Sequence, residues 1–218
     1  MTAVSVHLGA LVVLTARAWM RRQWDERSDA EIVEAVLTGQ TEAYAALVRR
    51  YQRRLYGVAR RMVRSHDDAD DVAQEAFVRA YQSLHTFDVS RQFYTWLCRI
   101  AMNLAINLAD RRRRRATDSL DEHRESAGHE PVAAEDSSER AEHAELARAV
   151  ERSLAGLPDG MREVFILRAF DDLSYDEIAE VLGIPCGTVM SRLARARERL
   201  RERLSPYVEH HARHEAKE

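Results

Sequence analysis

No proline occurs in the first 130 residues of this chain; the first is Pro131. Proline removes a backbone donor and clashes with the preceding turn, so its absence leaves long helices free to form. The apolar residues through this region recur at i, i+3, i+4, i+7, the period of helices with one buried stripe. Ser28 and Glu31 have capping-box spacing and open a short helix that stops at Gly39. A second helix is expected from about Thr41 to Arg64, its stripe formed by Tyr44, Leu47, Val48, Tyr51, Leu55, Val58, Ala59 and Met62. Two more, from Asp67 to Leu84 and from about Phe93 onward, complete a first helical domain over 28–115.

Those last two helices differ in character. The Asp67 helix opens with Asp67, Asp68, Asp70 and Asp71, where a helix N-terminus favours negative charge. Its stripe runs through Ala69, Val72, Ala73, Ala76, Phe77, Ala80, Tyr81 and Leu84, which leaves Asp71, Gln74 and Glu75 on the outer face. The Phe93 helix is expected to bury Phe93, Trp96, Leu97, Ile100, Ala101, Leu104 and Leu108 before running into five arginines, Arg111 to Arg115. One helix suits a protein partner and the next a nucleic acid.

Between Thr117 and Glu145 ten acidic residues face two basic ones, with Gly128 and Pro131 among them and few large apolar side chains. A self-repelling, flexible acidic linker is expected over 116–145, its last part starting the next helix. It can serve as a nucleic-acid mimic or as a plain solubilising spacer, and composition weighs the two about equally.

A second domain is expected over 146–206. One helix ends near Gly156, and Pro158 starts another that buries Val164, Phe165 and Leu167. Ser174 and Glu177 cap a short helix from Tyr175 to Leu182. Gly183, Ile184 and Pro185 turn the chain into a long helix from Gly187 to about Leu204, giving a helix-turn-helix. Its outer face carries Arg192, Arg195, Arg197, Arg199, Arg201 and Arg203. A basic run is often only a solvated face, but here it lies on the helix expected in a major groove. The whole is an all-α chain of two small helical domains.

Composition narrows the function classes. The net charge is −3, with 45% hydrophobic and 32% charged residues. All basic residues except Lys217 are arginine. Arginine suits forked phosphate contacts, although a GC-rich genome yields the same bias and carries most of the weight. Cys98 and Cys186 lie far apart and form no CxxC pattern, which fits a reducing, cytoplasmic setting. His210, His211 and His214 in the tail over 207–218 lack the supported three or four ligands of a zinc site, so no metal and no cofactor is assigned. The extension over 1–27 holds an apolar run around Ala10 to Ala16, too short to cross a bilayer. Its arginines follow the run, opposite to a secretory signal. A peripheral anchor is one reading; an unstructured extension, or a start near Met20, is preferred.

Three motifs carry a resemblance. They are Asp70-Asp71-Val72-Ala73-Gln74-Glu75-Ala76-Phe77, then Phe93-Tyr94-Thr95-Trp96-Leu97-Cys98-Arg99-Ile100-Ala101-Met102-Asn103, and Leu173 to Ala179 with Gly187-Thr188-Val189. In this order and spacing, residues 29–206 resemble a bacterial RNA polymerase sigma factor of the extracytoplasmic-function group. The resemblance implies a protein that binds core RNA polymerase and directs promoter recognition, DNA opening and transcription initiation. It implies that Asp71, Gln74 and Glu75 dock on the clamp helices of the largest polymerase subunit. The loop from Phe87 to Gln92, with Phe87, Asp88, Ser90 and Arg91, would capture a base flipped from the minus-10 element. Trp96 and Asn103 would help open the duplex, and Arg99, Arg111, Arg112, Arg114 and Arg115 would hold phosphates, since a single strand needs stacking surfaces and positive charge. Thr188, Met190, Ser191, Arg192, Arg195 and Arg199 would meet the minus-35 element. An anti-sigma protein that clamps both domains is the expected regulator. Two departures stand out: the loop lacks the glycine and basic residue common after Phe87, and Met190 stands where a basic residue is usual.

Two other readings compete. A self-sufficient repressor or activator would use the helix-turn-helix alone and leave the acidic and aromatic-basic helices unexplained. An enzyme lacks any His/carboxylate pair, metal-ligand spacing or glycine-rich phosphate loop, and no small-molecule substrate is assigned.

Overall fold

The computed structural model describes residues 23–63, 65–118 and 138–215, with side chains at 23–63, 65–115 and 145–207. The apolar N-terminal run, the centre of the acidic linker and the side chains of the three tail histidines lie outside the described residues. Every regular element among the described residues is helical, and the chain divides into two compact units at Leu108 and Ala109.

The first unit begins with α1 (Asp29–Leu37). Ser28 Oγ accepts from the Glu31 amide, and Glu31 Oε2 accepts from the Ser28 amide at 2.8 Å, closing the expected capping box. The chain leaves α1 through Gly39 at φ +103°, a conformation open to glycine at little cost. The expected extension is structured from Gln23 onward: Arg49 pairs with Asp25 at 2.7 Å, and Arg50 donates to the Arg27 carbonyl at 2.7 Å. A 3₁₀ turn at Thr41–Ala43 leads into α2 (Tyr44–Met62), and Ser65 caps α3 (His66–Gln82).

On α3 the buried residues are Ala69, Val72, Ala73, Ala76, Phe77 and Ala80. Four of these are alanines, and small side chains let the α2 and α3 backbones approach closely. Tyr44 Oη donates to the Phe77 carbonyl at 2.7 Å across this contact. Tyr81, expected in the stripe, is instead 42% exposed, its ring edge-on to Tyr44.

A 3₁₀ turn (Leu84–Thr86) and a loop lead to α4 (Phe93–Asp118). Its buried face is broader than periodicity predicts. Tyr94, Cys98, Met102 and Ala105 join Phe93, Leu97, Ala101 and Leu104 in the core, whereas Trp96, Ile100 and Leu108 are half-buried. Tyr94 turns inward because Tyr51 packs against it at 5.2 Å and the Arg54 guanidinium covers its ring at 3.8 Å.

The second unit contains α5 (Ser138–Ala155), α6 (Asp159–Ala169), α7 (Tyr175–Leu182) and α8 (Cys186–Glu215). Leu154, Leu157, Ala196 and Leu200 form one core cluster, with Val150, Met161, Phe165 and Leu204 packed on it. Ile166 is fully buried and Phe165 only half-buried, the reverse of the expected order on α6. Ser174 and Glu177 form the second capping box, and Gly183 ends α7 in the left-handed region at φ +64°. α8 continues beyond the expected end near Leu204, through Pro206 to Glu215.

The first capping box makes the fold sensitive to acid. Hydrogen bonding from the Ser28 backbone, then from Arg27, holds the Glu31 carboxyl down at about 2 from an ordinary 4.5. The charged carboxylate's contribution is therefore complete above about pH 4.5 and disappears as pH falls through about 2. The urea midpoint of the wild-type chain is expected to drop more steeply over that window than that of Glu31→Gln.

Candidate functional site

Three exposed surfaces hold the residues singled out from the sequence. On α3, burial of Val72, Ala73, Ala76 and Phe77 turns Asp71, Gln74 and Glu75 to solvent, all three exposed together. Glu75 Oε1 accepts from Arg79 Nε at 2.7 Å. The same face continues one turn further to Val78, 49% exposed, which sequence reasoning did not single out. An acidic strip bordered by an apolar side chain is suited to a protein partner.

The second surface is the loop before α4 and the outer face of that helix. The backbone of the loop is organised by Asp88, whose Oδ1 accepts from the Ser90 amide at 3.0 Å and the Ser90 hydroxyl at 2.7 Å. These bonds, the hydroxyl's first, hold the Asp88 carboxyl below its ordinary range. The Arg91 amide donates to the Asp88 carbonyl at 3.0 Å, and Val89 stands at the tip, 52% exposed.

Phe87 is placed differently from the rest. It is 8% exposed and packs edge-on to Phe93, with centroids 5.5 Å apart, and against Trp96 at 5.2 Å. Its ring fastens the loop to α4, while Asp88, Ser90 and Arg91 remain exposed. Trp96 is half-buried, and Arg99 and Asn103 follow it in exposed positions one and two turns along. Arg111, Arg112, Arg114 and Arg115 are all exposed at the basic end of the helix. Aromatic surface gives way to cationic surface along one helix, the combination that accommodates stacked bases and phosphates.

The third surface is α8, the second helix of the helix-turn-helix. Val189, Leu193 and Ala196 are buried, and the exposed strip opposite runs through Gly187, Met190, Ser191, Ala194 and Arg195 to Arg199. Thr188 and Arg192, expected to meet the minus-35 element, lie at its half-buried edge. The Arg192 side chain lies over α6: a Cβ added to Gly160 would stand 2.9 Å from its guanidinium carbon. Glu163, raised by burial and opposed by the Arg192 charge, lies on the same side.

Arg203 also folds back. Its Nη1 donates to the Ser153 carbonyl at 3.0 Å and crosses so close to Gly156 that a Cβ there would lie 2.1 Å away. Of the six arginines expected on the outer face, Arg192 is half-buried; Arg195, Arg197, Arg199, Arg201 and Arg203 are exposed, Arg203 with its guanidinium bonded to Ser153.

Comparison with known proteins shows the family. Family models match for sigma-70 region 2 over residues 47–115 and for sigma-70 region 4 over residues 147–200. A helical first domain and a helix-turn-helix second domain thus define a transcription factor of the sigma-70 class. RNA polymerase sigma-H factor of Pseudomonas aeruginosa is 40% identical over 188 residues, covering 84% of this chain and 97% of its own. ECF RNA polymerase sigma factor SigW of Bacillus subtilis is 39% identical over 184 residues, covering 79% and 94%.

The chain belongs to the extracytoplasmic-function group of RNA polymerase sigma factors. It binds core RNA polymerase and directs promoter recognition, DNA opening and transcription initiation.

Solved structures give the same fold. CnrH in complex with the cytosolic domain of CnrY matches with a TM-score of 0.62 at 31% identity, over 83% of this chain and 99% of that one. The sigma factor RpoE in complex with the anti-sigma factor NepR from Bartonella quintana matches with a TM-score of 0.62 at 25% identity, over 74% and 96%. No described helix is long and apolar enough to cross a membrane.

Proposed function

We propose that the three surfaces divide the work of initiation. Asp71, Gln74 and Glu75 on α3 dock on the clamp helices of the largest polymerase subunit. The Asp88–Arg91 loop and Trp96 take the opened minus-10 strand, with Asn103 beside them and Arg99, Arg111, Arg112, Arg114 and Arg115 on its phosphates. The exposed strip of α8 enters the major groove of the minus-35 element. The observation that carries this reading is the joint exposure of Asp71, Gln74 and Glu75 on a helix whose opposite face is buried. The protein acts in the cytoplasm, with no catalytic group of its own. In vitro transcription with core polymerase, with and without the chain, tests it. New start sites that depend on the chain are expected, and specific duplex binding without polymerase, with no such starts, would instead mark an autonomous regulator.

Control by an anti-sigma protein is part of this proposal. Both structural relatives named above were solved as complexes with a second protein, in one case an anti-sigma factor. A partner gripping two small domains at once gains avidity from their linkage. Co-purification from the native host is expected to recover a protein other than polymerase subunits.

On α8, Arg195 and Arg199 should behave differently. Arg195 is the first arginine along the exposed strip, where it can fork onto a guanine edge, worth about 1–3 kcal/mol of discrimination. Arg199 lies one turn further and meets only phosphate. Across a randomised minus-35 library, Arg195→Ala is expected to change the sequence preference. Arg199→Ala is expected to lower all promoters alike. An unchanged preference in Arg195→Ala would place base readout elsewhere.

A further inference from the structure

The forward half of the α8 strip is unusually short of cations. Gly187 leaves open space, with no atom within 4 Å of an added Cβ. Ser191 spends its hydroxyl proton on the Thr188 carbonyl at 3.1 Å. Ala194 offers only a methyl group, and Arg192 is drawn away over Gly160. The large side chain that remains before Arg195 is Met190, 51% exposed. An exposed thioether at the centre of a surface that meets DNA has no ionic partner to seek.

What the major groove offers such a side chain is specific. Guanine, adenine and cytosine present donors and acceptors there, whereas thymine alone presents a methyl group. A flexible, polarizable side chain gains by covering that methyl, and it leaves unsatisfied any guanine or cytosine edge that it dehydrates. We infer that Met190 is a specificity-determining residue that selects an A·T pair in the minus-35 element by apolar contact with the thymine C5-methyl group. Gly187 and Ala194 flank it with too little bulk to hold the helix off the bases. Arg195 then supplies the polar, guanine-directed part of the readout next to it. This inference rests on α8 being the minus-35 helix.

The test uses the full chain with core polymerase. The preferred minus-35 element is first selected from a randomised library, and each of its thymines, on either strand, is then replaced singly by deoxyuridine, which lacks only the methyl group. At one position the wild-type chain is expected to lose about fourfold in open-complex formation, the worth of one methyl taken out of water. Met190→Ala is expected to be indifferent to that same replacement. Arg195→Ala, though weaker on the normal template, is expected to keep the sensitivity. A preferred element without thymine would overturn the inference. So would a wild-type response flat at every uracil, or a Met190→Ala response equal to the wild type's. Failure of the underlying reading looks different: transcription by the wild-type chain would then be indifferent to scrambling the entire minus-35 element.

Discussion

Reversing Glu75 to arginine is expected to cut affinity for core polymerase by about two orders of magnitude or more. A like-charged contact in an interface costs several kcal/mol, and each 1.4 kcal/mol is about tenfold in affinity. The fold should survive the change. Glu75 is about half exposed, and its pair with Arg79 is a surface i, i+4 contact, a class worth about 0–1 kcal/mol. Placing a second cation beside Arg79 adds a repulsion of only about 0.2–0.5 kcal/mol. Competition binding against a labelled wild-type chain, together with helix content by circular dichroism, separates the two effects. Wild-type affinity in Glu75→Arg would remove α3 from the polymerase contact.

Truncating Phe87 to alanine is expected to destabilise the first domain by about 3–5 kcal/mol, the usual cost of deleting a buried phenylalanine. The ring packs on both Phe93 and Trp96, so its loss opens a void where the loop joins α4. Activity should then fall on every promoter, whatever base occupies the minus-10 element. Phe87→Leu should retain most of it, because much of the buried volume remains. Urea unfolding and transcription from minus-10 variants check both statements. A Phe87→Ala chain that is as stable as the wild type but altered in base preference would mean that the ring itself meets the flipped base. Under the anchoring role, preference at that base belongs to the exposed Asp88–Arg91 loop.

Much of the architecture was legible because it is written in local chemistry. Both Ser-x-x-Glu boxes form as read, at Ser28 with Glu31 and at Ser174 with Glu177. A capping box needs only four consecutive residues, so no distant contact can hide it. The alanines of α3 and the exposure of Asp71, Gln74 and Glu75 follow equally from helical period. The helix-turn-helix was legible from Gly183, where the turn requires a left-handed backbone.

The α8 surface was less legible. A helical wheel gives the direction of each Cα–Cβ bond but not where a long arginine ends. Arg192 and Arg203 were read as outward-facing; their guanidinium groups instead lie over Gly160 and Gly156. Each glycine clears the space that its arginine fills, and the partners are distant in sequence. With Arg192 drawn over α6 and Thr188 at the half-buried edge, the exposed strip lies round at Met190 and Ala194. The same limit applies to Phe87. The resemblance implies a base contact for its loop, whereas its packing on Phe93 and Trp96 is a tertiary contact that no local pattern shows.

The sequence by itself determined the all-helical class, the caps, the helix-turn-helix and the acidic outer face of α3, because each depends on spacing within one or two turns. Only the tertiary structure decided which aromatic rings are core, which arginines are spent on neighbouring helices, and which side chains of α8 remain exposed. Those outcomes depend on competition for space among groups far apart in the chain, and close packing settles that competition only once the helices are together.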